Sequence, residues 1–124
     1  MELTPYFKSY IDSDKQPIVI CDIDCHIVYI NPAAAKEFEK FGGYDLVGRQ
    51  LRALTSIEGE SKINMLVELF KESKENDTLF VCRDTKKNID TYVVAVRDEN
   101  GKLIGFAGRK ILRTSDTAEP YDII

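Results

Sequence analysis

The sequence has no apolar run of the length that a membrane-spanning helix requires. Its first ten residues, MELTPYFKSY, lack the basic and apolar segments of a secretory signal. Basic residues are not in excess either, since 17 lysines and arginines face 21 acidic residues and the net charge is −4. Nucleic acids and anionic membranes bind to basic surfaces. We therefore expect a cytoplasmic protein that binds neither.

Cysteine and histidine are also scarce. The three cysteines, an odd number, are too few for a disulfide framework. Two of them and the only histidine fall in CDIDCH, residues 21–26, which is one residue longer than the haem-attachment motif C-x-x-C-H. A tetrahedral metal site would need both thiols to converge, whereas strand alternation separates them. We expect no metal here, with Cys21 in the core and Asp22 and Asp24 bonded to the local backbone.

Signatures of catalysis are missing as well. The sequence contains neither of the glycine-rich phosphate-binding motifs, G-x-x-x-x-G-K-[ST] and G-x-G-x-x-G. A Ser-His-Asp set would have to use His26, and nothing in the sequence places a serine beside it. We find no catalytic residues and predict that the protein is not an enzyme.

What the sequence does contain is typical of one globular domain. It has 124 residues, 44% of them hydrophobic and 31% charged. A chain of this length can bury about two-thirds of the surface that its unfolded form exposes. No disulfide or metal is therefore needed to hold the core together.

Helix signals lie at three places. The first helix is expected to begin at Pro5 with Thr4 as its N-cap, and Asn31 is expected to cap a second helix whose first residue is Pro32. Ile63, Leu66, Val67 and Phe70 lie on one face of the clearest amphipathic helix. The segment before it, residues 54–61, is interpreted as a loop.

β-Branched and aromatic runs predict five strands. They are expected at residues 17–21, 26–30, 76–84, 89–96 and 103–112. The first two form a hairpin around CDIDCH, and the last two are joined by a turn at Asn100 and Gly101. Because strands and helices are segregated along the chain, the order predicts an α+β domain with an antiparallel sheet.

Two segments resemble the PAS domain family. Residues 17–49, PIVICDIDCHIVYINPAAAKEFEKFGGYDLVGR, contain a strand ending in Asp22, a hairpin into YINPAA and the pattern GG-Y-x-L-x-G-R. Residues 94–105, VAVRDENGKLIG, resemble the closing hairpin of the family. The resemblance covers residues 15–113 and is strongest to small bacterial proteins made of this one domain.

The resemblance implies a PAS fold with a five-stranded antiparallel sheet in the order 2-1-5-4-3. Short helices would cover one face of that sheet, and residues 1–14 would form an N-terminal cap helix. Residues 114–124 would be a mobile tail. The Asn-Pro step at Asn31 would turn the chain from the second strand into the helices, and we assign Asn31 a capping role without ligand contact.

The resemblance also bears on cofactors. The photoactive flavin branch carries a reactive cysteine two residues after the Arg of the Gly-Arg step, where this chain has Leu51. Haem-binding members ligate iron through a histidine on the long helix or just before it, and residues 54–75 contain none. Haem and photoactive flavin are therefore not expected, whereas a small organic ligand is.

Family members hold ligands between the helices and the sheet. In the flavin-binding branch, the residue before the strand-ending Asp faces the ligand, and this sets the phase of the strand alternation. The resemblance then implies seven pocket residues: Val19, Cys21, Ile27, Tyr29, Leu51, Thr91 and Val93. Hydroxyls at Tyr29 and Thr91 in an apolar setting suit a small, weakly polar ligand.

Two functions remain open from the sequence. One is a sensory module for signal transduction or regulation of transcription, which binds a small molecule and acts on an unidentified signalling protein in trans. The other is a ligand-free interaction module with a filled core. In both cases a homodimer is expected through the apolar stripe of the first helix, formed by Leu3, Phe7, Tyr10 and Ile11. The alternative for this stripe is that it folds over its own sheet and closes the core.

Overall fold

A computed structural model describes residues 1–123 as three α-helices and one sheet of five antiparallel strands. The helices are α1 (Thr4–Asp12), α2 (Pro32–Glu37) and α3 (Ile57–Glu72). The strands are β1 (Ile18–Asp22), β2 (Ile27–Ile30), β3 (Thr78–Asp84), β4 (Ile89–Arg97) and β5 (Leu103–Leu112). Three single-turn 3₁₀ helices, Glu39–Phe41, Gly43–Leu46 and Leu51–Leu54, connect α2 to α3.

The strand order in the sheet is β2-β1-β5-β4-β3. This confirms the α+β class and the order 2-1-5-4-3 that the sequence resemblance implied. β5 is the central strand, and it pairs with β1 on one side and with β4 on the other. β5, the last strand along the chain, thus joins the β1–β2 hairpin to the β3–β4 hairpin in one sheet.

The helices α2 and α3, together with the 3₁₀ turns, pack on one face of this sheet and enclose the core with it. Strand side chains and helix side chains contribute to one buried cluster. From the sheet come Cys21, Ile27, Ile30 and Phe106, and from the helical layer come Ala34, Ala35, Leu46, Val67 and Phe70. The face of α3 predicted from its apolar spacing therefore points inward at Val67 and Phe70.

Two helix starts differ from those predicted. Thr4 is the first residue of α1, and the N-cap is Leu3, whose side chain forms no capping hydrogen bond. The Thr4 amide instead donates to Glu2 Oε1 at 3.1 Å. α3 begins at Ile57, so the loop predicted for residues 54–61 is wrong in its second half. Ser56 accepts a hydrogen bond from the Gly59 amide at 3.1 Å, which starts α3 in place of the predicted loop.

Both ends of the chain lie outside the sheet. None of the residues of α1 is buried. Residues 113–123 form no helix or strand, and residue 124, the last of the predicted tail, lies outside the described residues. Within residues 1–123 no helix is long and apolar enough to cross a membrane.

Candidate functional site

A cavity of about 400 Å³ lies between the sheet and the helical layer. Sheet residues from β1, β2, β4 and β5 form its floor, and the 3₁₀ turns and α3 form its roof. The lining residues are Val19, Cys21, Ile27, Ile30, Phe38, Phe41, Leu46, Leu51, Leu54, Thr55, Ile63, Leu66, Val93, Phe106 and Gly108. This volume is within the range of ligand pockets, about 300–1,000 Å³.

Five of the seven residues predicted to face a pocket line this cavity. On β1, Val19 and Cys21 are two residues apart and share the inward face, as strand alternation requires. Ile27 enters from β2 and Val93 from β4. Leu51 lies on the helical side, in the first position of a 3₁₀ turn.

Tyr29 does not line the cavity, which corrects the direction predicted for it. Ile20 pairs with Tyr29 while Cys21 pairs with Ile27, so Val28 is an extra residue in β2. This bulge reverses the alternation after Ile27. Ile30 takes the inward position, and the Tyr29 hydroxyl donates a hydrogen bond to the Asp12 carboxylate.

Thr91 is also outside the cavity lining. It precedes Val93 by two residues on β4 and shares its face by alternation, but it pairs with Lys110 and Cys82 further along the sheet. The face of β4 predicted to point inward is therefore the one that carries Val93 in the cavity. The cavity does not extend along β4 as far as Thr91. Neither of the two hydroxyls predicted for the pocket, those of Tyr29 and Thr91, therefore lines the cavity.

Sequence reasoning missed most of the roof and the β5 side of the floor. Ile63 and Leu66 had a usable signal, because they lie on the apolar stripe of α3. Phe106 and Gly108 are opposite Cys21 and Val19 in the sheet, so strand pairing would have placed them on the same face. Phe38, Phe41 and Leu46 lie on short turns that have no periodicity to interpret.

The cavity is almost free of polar groups. Its lining has no charged residue. Burial raises the pKa of the Cys21 thiol to about 12, with Cys25 and Asp22 adding to the effect, so Cys21 carries a neutral thiol at physiological pH. The Thr55 hydroxyl already donates to the Arg52 carbonyl at 3.1 Å. At the edge of the cavity Phe41 is 66% exposed and Leu54 is 39% exposed, which leaves an apolar rim open to solvent.

Asn31 is fully buried and stands outside the cavity. Its Oδ1 accepts from the Ala34 amide at 2.9 Å, which makes it the N-cap of α2, and from the Ile18 amide at 2.9 Å. Its Nδ2 donates to the Gln16 carbonyl at 3.0 Å and to the Ile11 carbonyl at 3.3 Å. One amide therefore joins the end of α1, the start of β1 and the start of α2.

The CDIDCH turn uses its polar groups locally. Asp22 Oδ1 accepts hydrogen bonds from the Asp24 amide at 3.0 Å and from the His26 amide at 2.9 Å. Cys25 is fully buried and has a φ of 69°, in the left-handed region. Among residues 1–123, no three His, Cys, Asp or Glu side chains are grouped to hold a metal ion.

The family model described as "PAS domain" matches residues 15–111, and the chain belongs to the PAS domain family. No curated protein matches the chain significantly. PAS domains are sensory modules of signalling proteins.

Solved structures agree with the fold. A C-terminal domain from Streptococcus mutans is 18% identical, with a TM-score of 0.69 over 84% of this chain and 80% of that one. The PAS domain of BvgS from Bordetella pertussis is 18% identical, with a TM-score of 0.58 over 90% and 86%. A sensory box sensor histidine kinase from Vibrio cholerae is 15% identical, with a TM-score of 0.56 over 86% and 90%. At these identities the likeness establishes the fold alone.

Proposed function

We propose that this protein is a sensory module that binds a small, uncharged, apolar ligand in the cavity between sheet and helices. The observation that carries the proposal is the lining, which is apolar and without a charged residue. A volume of about 400 Å³ accommodates an organic molecule with several rings or a chain of comparable size. Ligand binding would alter the packing of the helical layer, and this change would be passed on to a signalling partner.

The chemistry of the lining narrows the ligand class. The sequence predicted a weakly polar ligand, because hydroxyls were expected at Tyr29 and Thr91. With both residues elsewhere, a polar group on the ligand would lose its hydrogen bonds to water and find few partners. A charged ligand would be disfavoured more strongly, since Cys21 remains a neutral thiol. Hydrocarbon-like molecules fit this environment best.

A tryptophan at position 19 tests whether the cavity binds ligands. The neutral apolar dye N-phenyl-1-naphthylamine is expected to bind to the wild-type protein with enhanced fluorescence. Val19→Trp fills part of the cavity, so the dye affinity should fall at least about tenfold. The free energy of unfolding should change by less than about 1 kcal/mol, because the larger side chain enters empty space.

Ile104→Trp is the matched control, since Ile104 is 45% exposed and does not line the cavity. It should leave dye binding unchanged. Mass spectrometry of molecules released from purified protein on denaturation would identify a resident ligand. If Val19→Trp costs about 1–3 kcal/mol and no small molecule or dye binds to the wild type, the cavity is a packed core. The module would then be a ligand-free interaction domain.

The output is proposed to pass through a homodimer formed by α1. Phe7 is 60% exposed and Tyr10 is 79% exposed, so α1 presents an aromatic surface to water. The helix is nevertheless attached at its C-terminal end, where Tyr29 bonds to Asp12 and Asn31 bonds to Ile11. A fixed helix with an exposed aromatic stripe suits a second copy of the same helix, by a two-fold contact.

Phe7→Asp is expected to convert this dimer into a monomer. Light scattering of the wild type should give twice the chain mass of 14.1 kDa, and the variant should give the chain mass alone. The physical reason is that a carboxylate would be buried without a partner at the contact. Met65→Asp on α3 is the control, because Met65 is also 60% exposed, and it should remain dimeric. A wild type that is monomeric at high concentration would contradict the proposal.

A further inference from the structure

A second cleft, unrelated to the apolar cavity, is lined by cationic side chains. It has a volume of about 370 Å³ and lies where the end of α3 meets the β1–β2 turn and the β4–β5 turn. Four of its seven lining residues are basic: Lys71, Lys74, Arg97 and Lys102. The other three carry no charge. Four cations without a lining carboxylate are unusual in a protein whose net charge is −4.

Arg97 is held rigidly at the back of this cleft. Its Nη2 donates to the Phe70 carbonyl at 2.9 Å and to the Ser73 carbonyl at 3.2 Å, both at the end of α3. Its Nη1 donates to the Gly101 carbonyl at 3.4 Å. Backbone carbonyls are neutral, so these bonds fix the guanidinium without cancelling its charge. Arg97 Nε is buried and has no hydrogen-bond partner within residues 1–123.

The lysines at the mouth of the cleft form few ion pairs. Within residues 1–123, neither Lys74 nor Lys102 forms a side-chain ion pair. Lys74 Nζ lies against Gly101, where an added Cβ would be 3.2 Å away from it. Lys71 has one exposed pair, with Glu68 at 3.7 Å, which contributes little.

The adjacent turn contains two acidic residues, Asp98 and Glu99, and neither lines the cleft. Asp98 Oδ1 accepts from the Asn100 amide at 2.9 Å and from the Lys102 amide at 2.9 Å, so the carboxylate is directed at its own turn. Asp77 is 3.7 Å from Arg97 Nε, but its side chain is 69% exposed and screened by solvent. The positive charge of the cleft is therefore available to a ligand.

We propose that this cleft binds the phosphate group of a small anionic molecule. Lysine ammonium groups bind phosphate oxygens as point charges, and several around one cleft favour a multiply charged oxyanion over a carboxylate. The guanidinium of Arg97, which is already fixed by backbone carbonyls, adds positive charge at the back of the cleft without any further ordering on binding. This site would give the module a second input, separate from the apolar cavity, at the C-terminal end of the helix that roofs that cavity.

Nitrogen-15 heteronuclear NMR at low ionic strength would test the proposal. Inorganic phosphate and glucose 6-phosphate are titrated separately, which distinguishes a free anion from a phosphate ester. Saturable shifts are expected for the amides of residues 71–74 and 101–103. Lys74→Ala with Lys102→Ala should weaken the binding about tenfold. The control, Lys86→Ala with Lys87→Ala, removes the same charge from exposed lysines of the β3–β4 turn and should have no effect.

Two outcomes would overturn the proposal. One is an equal loss of affinity in both double variants, which would mean that the anion responds only to overall charge. The other is the absence of saturable shifts in the wild type up to millimolar phosphate or ester. Lys74 and Lys102 are exposed, so folding should be retained. If circular dichroism shows otherwise, Lys74→Gln with Lys102→Gln, which keeps the long side chains, carries the same test.

Discussion

Replacing Asn31 with alanine is expected to lower the free energy of unfolding by about 3–5 kcal/mol. The buried amide makes hydrogen bonds to α1, β1 and α2 at once, with Oδ1 and Nδ2 both engaged. Alanine would leave the Ile18 and Ala34 amides and the Gln16 carbonyl without this partner. Urea unfolding followed by circular dichroism measures the loss.

Two further variants separate the cap from the longer-range contacts. Ser56→Ala removes a cap that bonds only to Gly59 at an exposed site and should cost about 1 kcal/mol. Asn31→Ser retains a capping hydroxyl but is too short to reach the Ile11 and Gln16 carbonyls, so it should recover only the capping part. If Asn31→Ala costs no more than Ser56→Ala, the long-range bonds of Asn31 contribute nothing measurable.

Gly105→Ala is expected to be the most damaging conservative change in the sheet, at about 3 kcal/mol or more. A Cβ on Gly105 would overlap the carbonyl oxygen of Cys21 on the neighbouring strand. Gly105 cannot move freely, because it pairs with Asp22 of β1 on one side and with Val96 of β4 on the other. β1 and β5 would have to separate, which weakens the hydrogen bonds that join them. Thermal and urea unfolding should both detect the loss.

Gly108 offers a matched control three residues further along the same strand. A Cβ at Gly108 would meet no protein atom within 4 Å, because Gly108 lines the cavity. Gly108→Ala should therefore change the free energy of unfolding by no more than about 0.5 kcal/mol. Equal effects of the two alanines would show that intrinsic strand propensity, and not the contact with Cys21, decides the cost.

The strands could be predicted from their β-branched and aromatic runs, whereas the sheet order came only from the resemblance to the family. Alternation placed Val19 and Cys21 on the same face of β1, and the resemblance to the flavin-binding branch implied that this face points inward. Tyr29 could not be placed, since a single extra residue at Val28 reverses the alternation and leaves no trace in composition. β2 has only four residues, so the bulge at Val28 changes the predicted facing direction of the last two, Tyr29 and Ile30.

The roof of the cavity was harder to predict for a related reason. The 3₁₀ turns that carry Phe41 and Leu46 are three and four residues long, too short for any period to appear. Arg97 gave no signal either, because its role depends on carbonyls at the end of α3 that only the tertiary fold brings to it. The start of α3 was the exception, since Ser56 with Glu58 and Glu60 was a readable cap in the segment interpreted as a loop.

The central position of β5 has a consequence for how the chain acquires its structure. β5 is the last of the five strands along the chain, yet it lies between β1 and β4 and pairs with both. Until it is present, β1 and β2 form only a two-stranded hairpin, which is marginally stable in water. During synthesis on the ribosome, β1 therefore has no β5 to pair with until Leu103–Leu112 has emerged. The pairing of β1 with β5 joins residues that are far apart in sequence, and contacts of this kind slow folding.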